Sequence, residues 1–193
     1  MSVVDPIELF EAVLARASAD APFDPVAVTL ATSTPDGHPS ARIVLLRGVD
    51  PRGFLFYTNY ESRKARELTE NPNAALCFYW PWLDEQVRVE GRIERATSAE
   101  SERYFASRAR GSQIGAWASA QSQPLAARAD LERRYHEVEA EFPDGPVPRP
   151  PFWGGFLLRP ARIEFWRAGS FRLHDRQVYE RDGAGWRHQL LNP

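Results

Sequence analysis

The chain opens with an amphipathic repeat. Asp5-Pro6-Ile7-Glu8 offers a helix cap, a proline at the first helical position and an acid three residues after the cap, and Phe10, Val13, Leu14 and Ala17 then recur at helical spacing. This predicts a helix over 6–19, ended by Pro22 and Pro25. Val26 to Thr32 is β-branched and apolar as far as the turn signal Thr34-Pro35-Asp36-Gly37, which predicts a strand entering a hairpin. A second strand over 40–48, a turn at Asp50-Pro51-Arg52-Gly53 and a third strand over 54–58 make the first half read as an antiparallel meander. A short helix over 62–70 stops before Asn71-Pro72, and strands over 74–82 and 86–96 form another hairpin. Helices follow over 98–107, 112–118 and 125–142, the last amphipathic through Leu125, Leu131, Tyr135, Val138 and Phe142. Five prolines between Pro143 and Pro151 mark an extended connector that wraps the surface. Strands over 153–158, 161–167, 171–181 and 185–190 complete the pattern, which contains no internal repeat. Six or more antiparallel strands with helices between them predict an α+β fold with a closed or nearly closed barrel, because closure removes exposed edges.

Composition narrows the reading. The 193 residues, 43% hydrophobic and 26% charged, suit one globular domain over 1–193 with a sizeable core and exclude a disordered chain. Twenty-four basic against twenty-six acidic residues leave a net charge of -2, which argues against a nucleic-acid partner. Cys77 is alone, within an apolar run, and is expected to be a buried strand residue in a reducing cytoplasm. No run reaches the roughly eighteen apolar residues of a membrane span, and Asp5, Glu8, Glu11 and Arg16 interrupt any signal-peptide core, so no export and no membrane partner are expected. Lys64 is the only lysine among the basic residues, the others being Arg, a bias that reads first as codon usage.

The four histidines stand apart at spacings unsuited to a metal, and no HExxH, GxSxG or Walker loop occurs, so no metal site is expected. The notable feature is arginine within apolar strands. Arg42 and Arg47 bracket Ile43-Val44-Leu45-Leu46, and a separation of five puts them on opposite faces of an extended strand, addressing two anionic groups or lying in solvent at its ends. Ser62-Arg63-Lys64 opens a helix, a setting that suits an anion or simply a solvated helix start. Tyr104, Arg108 and Ser112 would align along a helix continuing through Gly111, either for a phosphate or on a solvent face with Glu100, Glu102 and Arg103. A strand through Arg172-Leu173-His174-Asp175-Arg176 would aim Arg172, His174 and Arg176 at one face, where they repel unless something anionic or electron-rich lies against them. Trp166 either packs in the core or covers a ring system.

Taken together, RIVLLR from Arg42, FYTN from Phe56, SRKARE from Ser62, QVRVEG from Gln86 and YFASRARGSQIGAWASAQS from Tyr104 resemble the pyridoxine/pyridoxamine 5'-phosphate oxidase family. PRPPFWGGF from Pro148, EFW from Glu164 and RLHDR from Arg172 continue the resemblance, and the pairing of SQIGAW with RLHDR is its most specific part. The resemblance implies an FMN-binding split barrel, a homodimer with sites at the subunit interface, and oxidation of pyridoxamine or pyridoxine 5'-phosphate to pyridoxal 5'-phosphate with O2 as acceptor. It implies that Arg42, Arg63, Lys64, Gln121 and Ser122 hold the FMN phosphate and ribityl chain, with the Ile43, Val44, Leu45 and Leu46 strand alongside. Tyr57, Thr58, Gln86, Trp166 and Arg176 would contact the rest of the flavin. Arg47, Tyr104, Arg108 and Ser112 would meet the substrate phosphate, and Arg172 and His174 the substrate ring as the catalytic pair. Two alternatives stand beside this: an FMN oxidase of another aromatic substrate, as in phenazine biosynthesis, and a flavin- or pyridoxal-phosphate-binding protein without turnover. The chain departs from the family in having Arg47 where Lys is typical, which bears on phosphate geometry. It also has only a few residues before helix one, where many members carry an arm that folds over the substrate.

Overall fold

A computed structural model describes residues 4–193. Helix α1 spans Pro6–Ala19 as its pattern predicts, with Asp5 Oδ1 accepting the Ile7 N–H at 2.8 Å. Its apolar stripe Ile7, Phe10, Val13 and Ala17 is buried, and Phe10 meets Phe54 and Phe78 at ring-centroid distances of 4.8 Å. Strands β1 (Ala27–Ser33) and β2 (Pro39–Leu45) form the first hairpin, and β5 (Asn73–Trp80) and β6 (Glu85–Arg95) the second. With β3 (Gly48–Asp50), β4 (Gly53–Asn59), β7 (Trp153–Arg167), β8 (Asp175–Asp182) and β9 (Gly185–Leu190) they make one antiparallel sheet. Its order is β2-β1-β5-β6-β7-β4-β3, with β8 and β9 branching from β7. The first half of β7 shares an edge with β4 and the second half with β8, so the curled sheet splits there.

Three expectations are corrected. The meander does not form, because β2 ends at Leu45 rather than near Gly48. The Leu46 N–H donates to Val26 and the next amide, Arg47, to Leu55, so the chain crosses the barrel mouth within one dipeptide. Arg42 and Arg47 therefore lie not on opposite faces of one strand but on a strand and on the crossing after it. Next, β7 runs unbroken through Pro160, where the sequence suggests two strands. Proline has no N–H for a ladder, and here a register shift at Glu90/Gly91 absorbs it. A Cβ at Gly91 would come within 2.0 Å of the Arg159 carbonyl oxygen, so the bulge needs that glycine. Finally, 171–174 is not strand. Ser170–Arg172 is a 3-10 turn with φ of 55° at Phe171 and 65° at Arg172, and β8 begins only at Asp175.

Helix α2 (Arg63–Glu70) follows β4. Helices α3 (Ser98–Ser107), α4 (Arg110–Ala118) and α5 (Arg128–Glu141) cover a second small core of Phe105, Ile114, Val147 and Trp153. The break expected between the helices over 98–107 and 112–118 is present, with Arg108 and Ala109 extended between α3 and α4, so no continuous helix carries Tyr104, Arg108 and Ser112. Among the described residues no helix is long and apolar enough to cross a membrane.

Candidate active site

The unpartnered edge of β2 and the outer half of β4 border a cleft of about 510 Å³. Ile43, Val44 and Leu45 line one wall, Tyr57, Thr58 and Asn59 the other, and Arg47, Lys64, Tyr104, Arg108, Ala109, Ser112, Gln121 and Trp153 complete it. Tyr104, Arg108 and Ser112 thus meet in one cleft although no continuous helix aligns them. The extended Arg108–Ala109 link turns the arginine over the Trp153 ring, 4.8 Å from its centroid. Tyr57 stacks on Tyr104 at 4.0 Å and on Trp153 at 5.5 Å, so the floor of this end is a rigid aromatic pile.

Two cations in the cleft have no carboxylate hydrogen-bonded to them among the described residues. Arg108 Nη1 is buried without a hydrogen-bond partner, and burial together with the charge of Arg47 pulls its guanidinium below the ordinary value. Lys64 is 8% exposed and its Nζ reaches only hydroxyls, Thr58 at 3.1 Å and Ser62 at 3.4 Å. Burial, then the charge of Arg42, lowers its pKa, while Glu67 opposes. A buried ammonium held by neutral hydroxyls and lining a cleft is poised for an anion that the protein does not itself supply.

Arg42 and Arg63 stand beside this cleft, both bonded to Glu67 of α2. Leu46 is buried in the core, facing a groove against α1 rather than the cleft, and Ser122 follows Gln121 at a φ of 70°. Thr58 Oγ1 donates to the Gln121 side chain at 3.3 Å, tying that loop to β4.

The remaining expected residues form a separate group. Gln86, Trp166 and Arg176 are register partners across β6, β7 and β8, so their side chains make one row on one face. Arg176 donates to Glu164, which is 2% exposed and also accepts from Arg88 and Arg162. In the strained turn before β8, His174 lies 4.6 Å from the Trp166 ring, and its Nδ1 accepts the Gly169 N–H. None of Gln86, Trp166, Arg172, His174 and Arg176 lines the cleft. Trp153 and Asn59, which do line it, went unremarked as site residues in the sequence; Trp153 sits within the PRPPFWGGF stretch, and its ring position is decided by packing alone.

Residues 16–142 match the family described as pyridoxamine 5'-phosphate oxidase, and 153–193 match the pyridoxine 5'-phosphate oxidase C-terminal dimerisation region. The chain is similar to pyridoxine/pyridoxamine 5'-phosphate oxidases of Myxococcus xanthus (60% identical, covering 98% of this chain and 92% of that one) and Anaeromyxobacter dehalogenans (57%, covering 98% and 96%). Among solved structures it resembles PhzG from Burkholderia lata 383, in complex with tetrahydrophenazine-1-carboxylic acid, at TM-score 0.92 and 37% identity over 97% of this chain and 92% of that one. A pyridoxamine 5'-phosphate oxidase-related, FMN-binding protein of Nostoc punctiforme shares the fold at TM-score 0.79 and 20% identity, covering 100% of both chains. With its cleft-bearing part matching the first family region and its β7–β9 part the second, the chain belongs to the pyridoxamine 5'-phosphate oxidase family.

Proposed function

We propose that this chain is a homodimeric FMN-dependent oxidase that converts pyridoxamine or pyridoxine 5'-phosphate to pyridoxal 5'-phosphate, each site being shared between two copies. The observation that carries this reading is a cleft lined by two cations without a hydrogen-bonded carboxylate among the described residues, Lys64 held only by hydroxyls and Arg108 with its Nη1 unpartnered. Two such cations suit two phosphates, one on the cofactor and one on the substrate. The residues present fit FMN: Lys64, with Arg42 and Arg63 adjacent, would take its phosphate, and the free backbone edge of Ile43–Leu45 would pair with the polar edge of the ring.

FMN supplies the two-electron acceptor for the C4' amine or alcohol. The protein's part is placement. Tyr104, Arg108, Ser112 and Arg47 would fix the substrate phosphate, and the aromatic pile behind Arg108 would keep water from that end. Arg172 and His174, with the Gln86, Trp166 and Arg176 row, would close the ring end from the partner copy. The C-terminal dimerisation region contains Trp166, Arg172, His174 and Arg176, which makes their entry from the partner the economical reading.

The test is direct. Purified protein should show bound flavin in its visible spectrum and form pyridoxal 5'-phosphate in air from either phosphorylated vitamer. With O2 as the acceptor, peroxide should appear in equal amount. Absence of aldehyde with flavin bound would contradict the reading, and turnover of a dihydrophenazine instead would favour the PhzG-type alternative.

A further inference from the structure

We propose that Glu67 is a positioning residue, a buried carboxylate that fixes the Arg42 and Arg63 guanidinium groups beside Lys64, where their charge and the terminal nitrogens of Arg63 meet the FMN phosphate. The inference rests on the reading that this phosphate meets Arg42, Arg63 and Lys64.

Glu67 is 4% exposed, and α2 also buries the apolar Ala65 and Leu68. A carboxylate there is costly unless it is paired and hydrogen-bonded, so its presence calls for a reason beyond packing. Its Oε2 accepts from Thr32 at 2.5 Å, Ser40 at 2.6 Å and Arg42 Nη2 at 3.2 Å, and its Oε1 accepts from Arg63 Nε at 2.8 Å. The two hydroxyls are relays. Thr32 Oγ1 also accepts from Arg42 Nη1, and Ser40 Oγ from Arg42 Nη2, each at 2.5 Å. Each hydroxyl therefore donates to the carboxylate and accepts from the guanidinium, and Arg42 Nη1 also donates to the Leu30 carbonyl oxygen at 3.2 Å, which leaves Arg42 little rotational freedom and only its Nε and its charge for an anion. Burial pushes the Glu67 carboxyl up, but the hydrogen bonds from Ser40, Thr32 and Arg63 and the charge of Arg42 outweigh it and hold it at about 2. It is ionised throughout the working range.

What Glu67 leaves free is as telling as what it holds. It takes only the Nε of Arg63, a side chain 61% exposed, and among the described residues neither terminal nitrogen of Arg63 donates to anything. The local balance is three cations, Arg42, Arg63 and Lys64, against one anion. That surplus of two matches the roughly -1.5 to -2 charge of a phosphate monoester near neutral pH.

Position and charge make opposite predictions on removal. Glu67→Gln keeps the shape, loses the charge-assisted bonds to both arginines and raises the local positive charge. If orientation dominates, FMN binding weakens; if charge alone matters, it tightens. Flavin fluorescence titration of the full chain with FMN and with riboflavin separates phosphate recognition from general damage. Loss of the charge-assisted placement should weaken FMN by about tenfold or more, while riboflavin stays within about twofold. In an Arg42→Ala background the same change should cost FMN roughly threefold or less, because the two residues act as one unit. Should Glu67→Gln fold poorly, Ser40→Ala, which removes one relay and no charge, should weaken FMN by about threefold, again sparing riboflavin. Equal weakening of both flavins, or unchanged or tighter FMN binding, would overturn the proposal. Arg42→Ala serves as the separate check on the underlying reading: if it leaves the preference for FMN over riboflavin intact, the phosphate assignment fails and this inference with it.

Discussion

Lys64 is the only lysine in the chain, and it is buried among hydroxyls where a carboxylate partner would otherwise be expected. Its removal should weaken FMN binding on the order of tenfold, since one charge-assisted contact is worth about 1.5 to 3 kcal/mol; fluorescence titration of Lys64→Ala measures this. Arg108→Ala should raise KM for the phosphorylated substrates with little change in flavin content, because Arg108 lies over the Trp153 ring and makes no contact with Lys64, Arg42 or Arg63. Arg47 lines the same cleft, and its charge is one of the forces that lower the Arg108 pKa. With twenty-three arginines to one lysine, Arg47 reads as a bias-driven replacement, so Arg47→Lys should keep kcat/KM within roughly threefold, under about 1 kcal/mol. A large gain toward pyridoxine 5'-phosphate would instead show that the native pocket is shaped for a different substrate. These residues were legible because cations within apolar segments stand out in a sequence. Their grouping was not: the spacing of Tyr104, Arg108 and Ser112 suggests one helix face, whereas an extended break at Arg108–Ala109, with no glycine or proline at either position, brings them together.

At the scale of elements, caps, turns and alternation place α1, both early hairpins and α3 close to where they lie. The failures have local causes that alternation does not carry. Pro160 reads as a strand end, but Gly91 across from it permits a bulge and β7 continues. RLHDR reads as a strand, but positive φ at Phe171 and Arg172 turns it, and a Cβ at Gly169 would meet the Leu173 carbonyl oxygen at 1.9 Å. At the Asp50–Gly53 turn, Gly53 has a φ of 144° and would set a Cβ 2.0 Å from the Leu158 carbonyl oxygen. Gly53→Ala should therefore separate β4 from β7 and lower the melting temperature by several degrees or more, as read by circular dichroism. Acid should loosen the α2 end of the barrel. The folded pKa of Glu67, about 2, lies below its ordinary 4.5, so its contribution is complete above about pH 4.5 and is lost as pH falls toward 2. The loss is on the order of 3 kcal/mol. Glu100, which caps α3 and is held at about 2 by Arg52 and Thr97, acts in the same direction. Thermal midpoints measured from pH 6 to 3 should fall, and Glu67→Gln should flatten that fall.

For the whole molecule, the sequence points to a barrel and, through the family resemblance, to a dimer with its sites at the subunit interface, but not to which residues each copy supplies. Within one copy, β7 hands its edge from β4 to β8, and the Gln86–Trp166–Arg176 row and the strained turn lie outside the cleft lining, which supports the proposed sharing. A dimer in which each copy lends its turn to the other's cleft reunites the groups, and the most direct measurement is complementation. Arg108→Ala and His174→Ala homodimers should each be strongly impaired. When the two are unfolded, mixed in equal amounts and refolded together, half the dimers are mixed, and each mixed dimer has one site with both wild-type residues. About a quarter of the wild-type activity should return, because all the defects then fall in the other site. Activity no higher than the average of the two parents, with mixed dimers verified by mass, would place Arg108 and His174 of one copy in the same site and contradict the shared-site account.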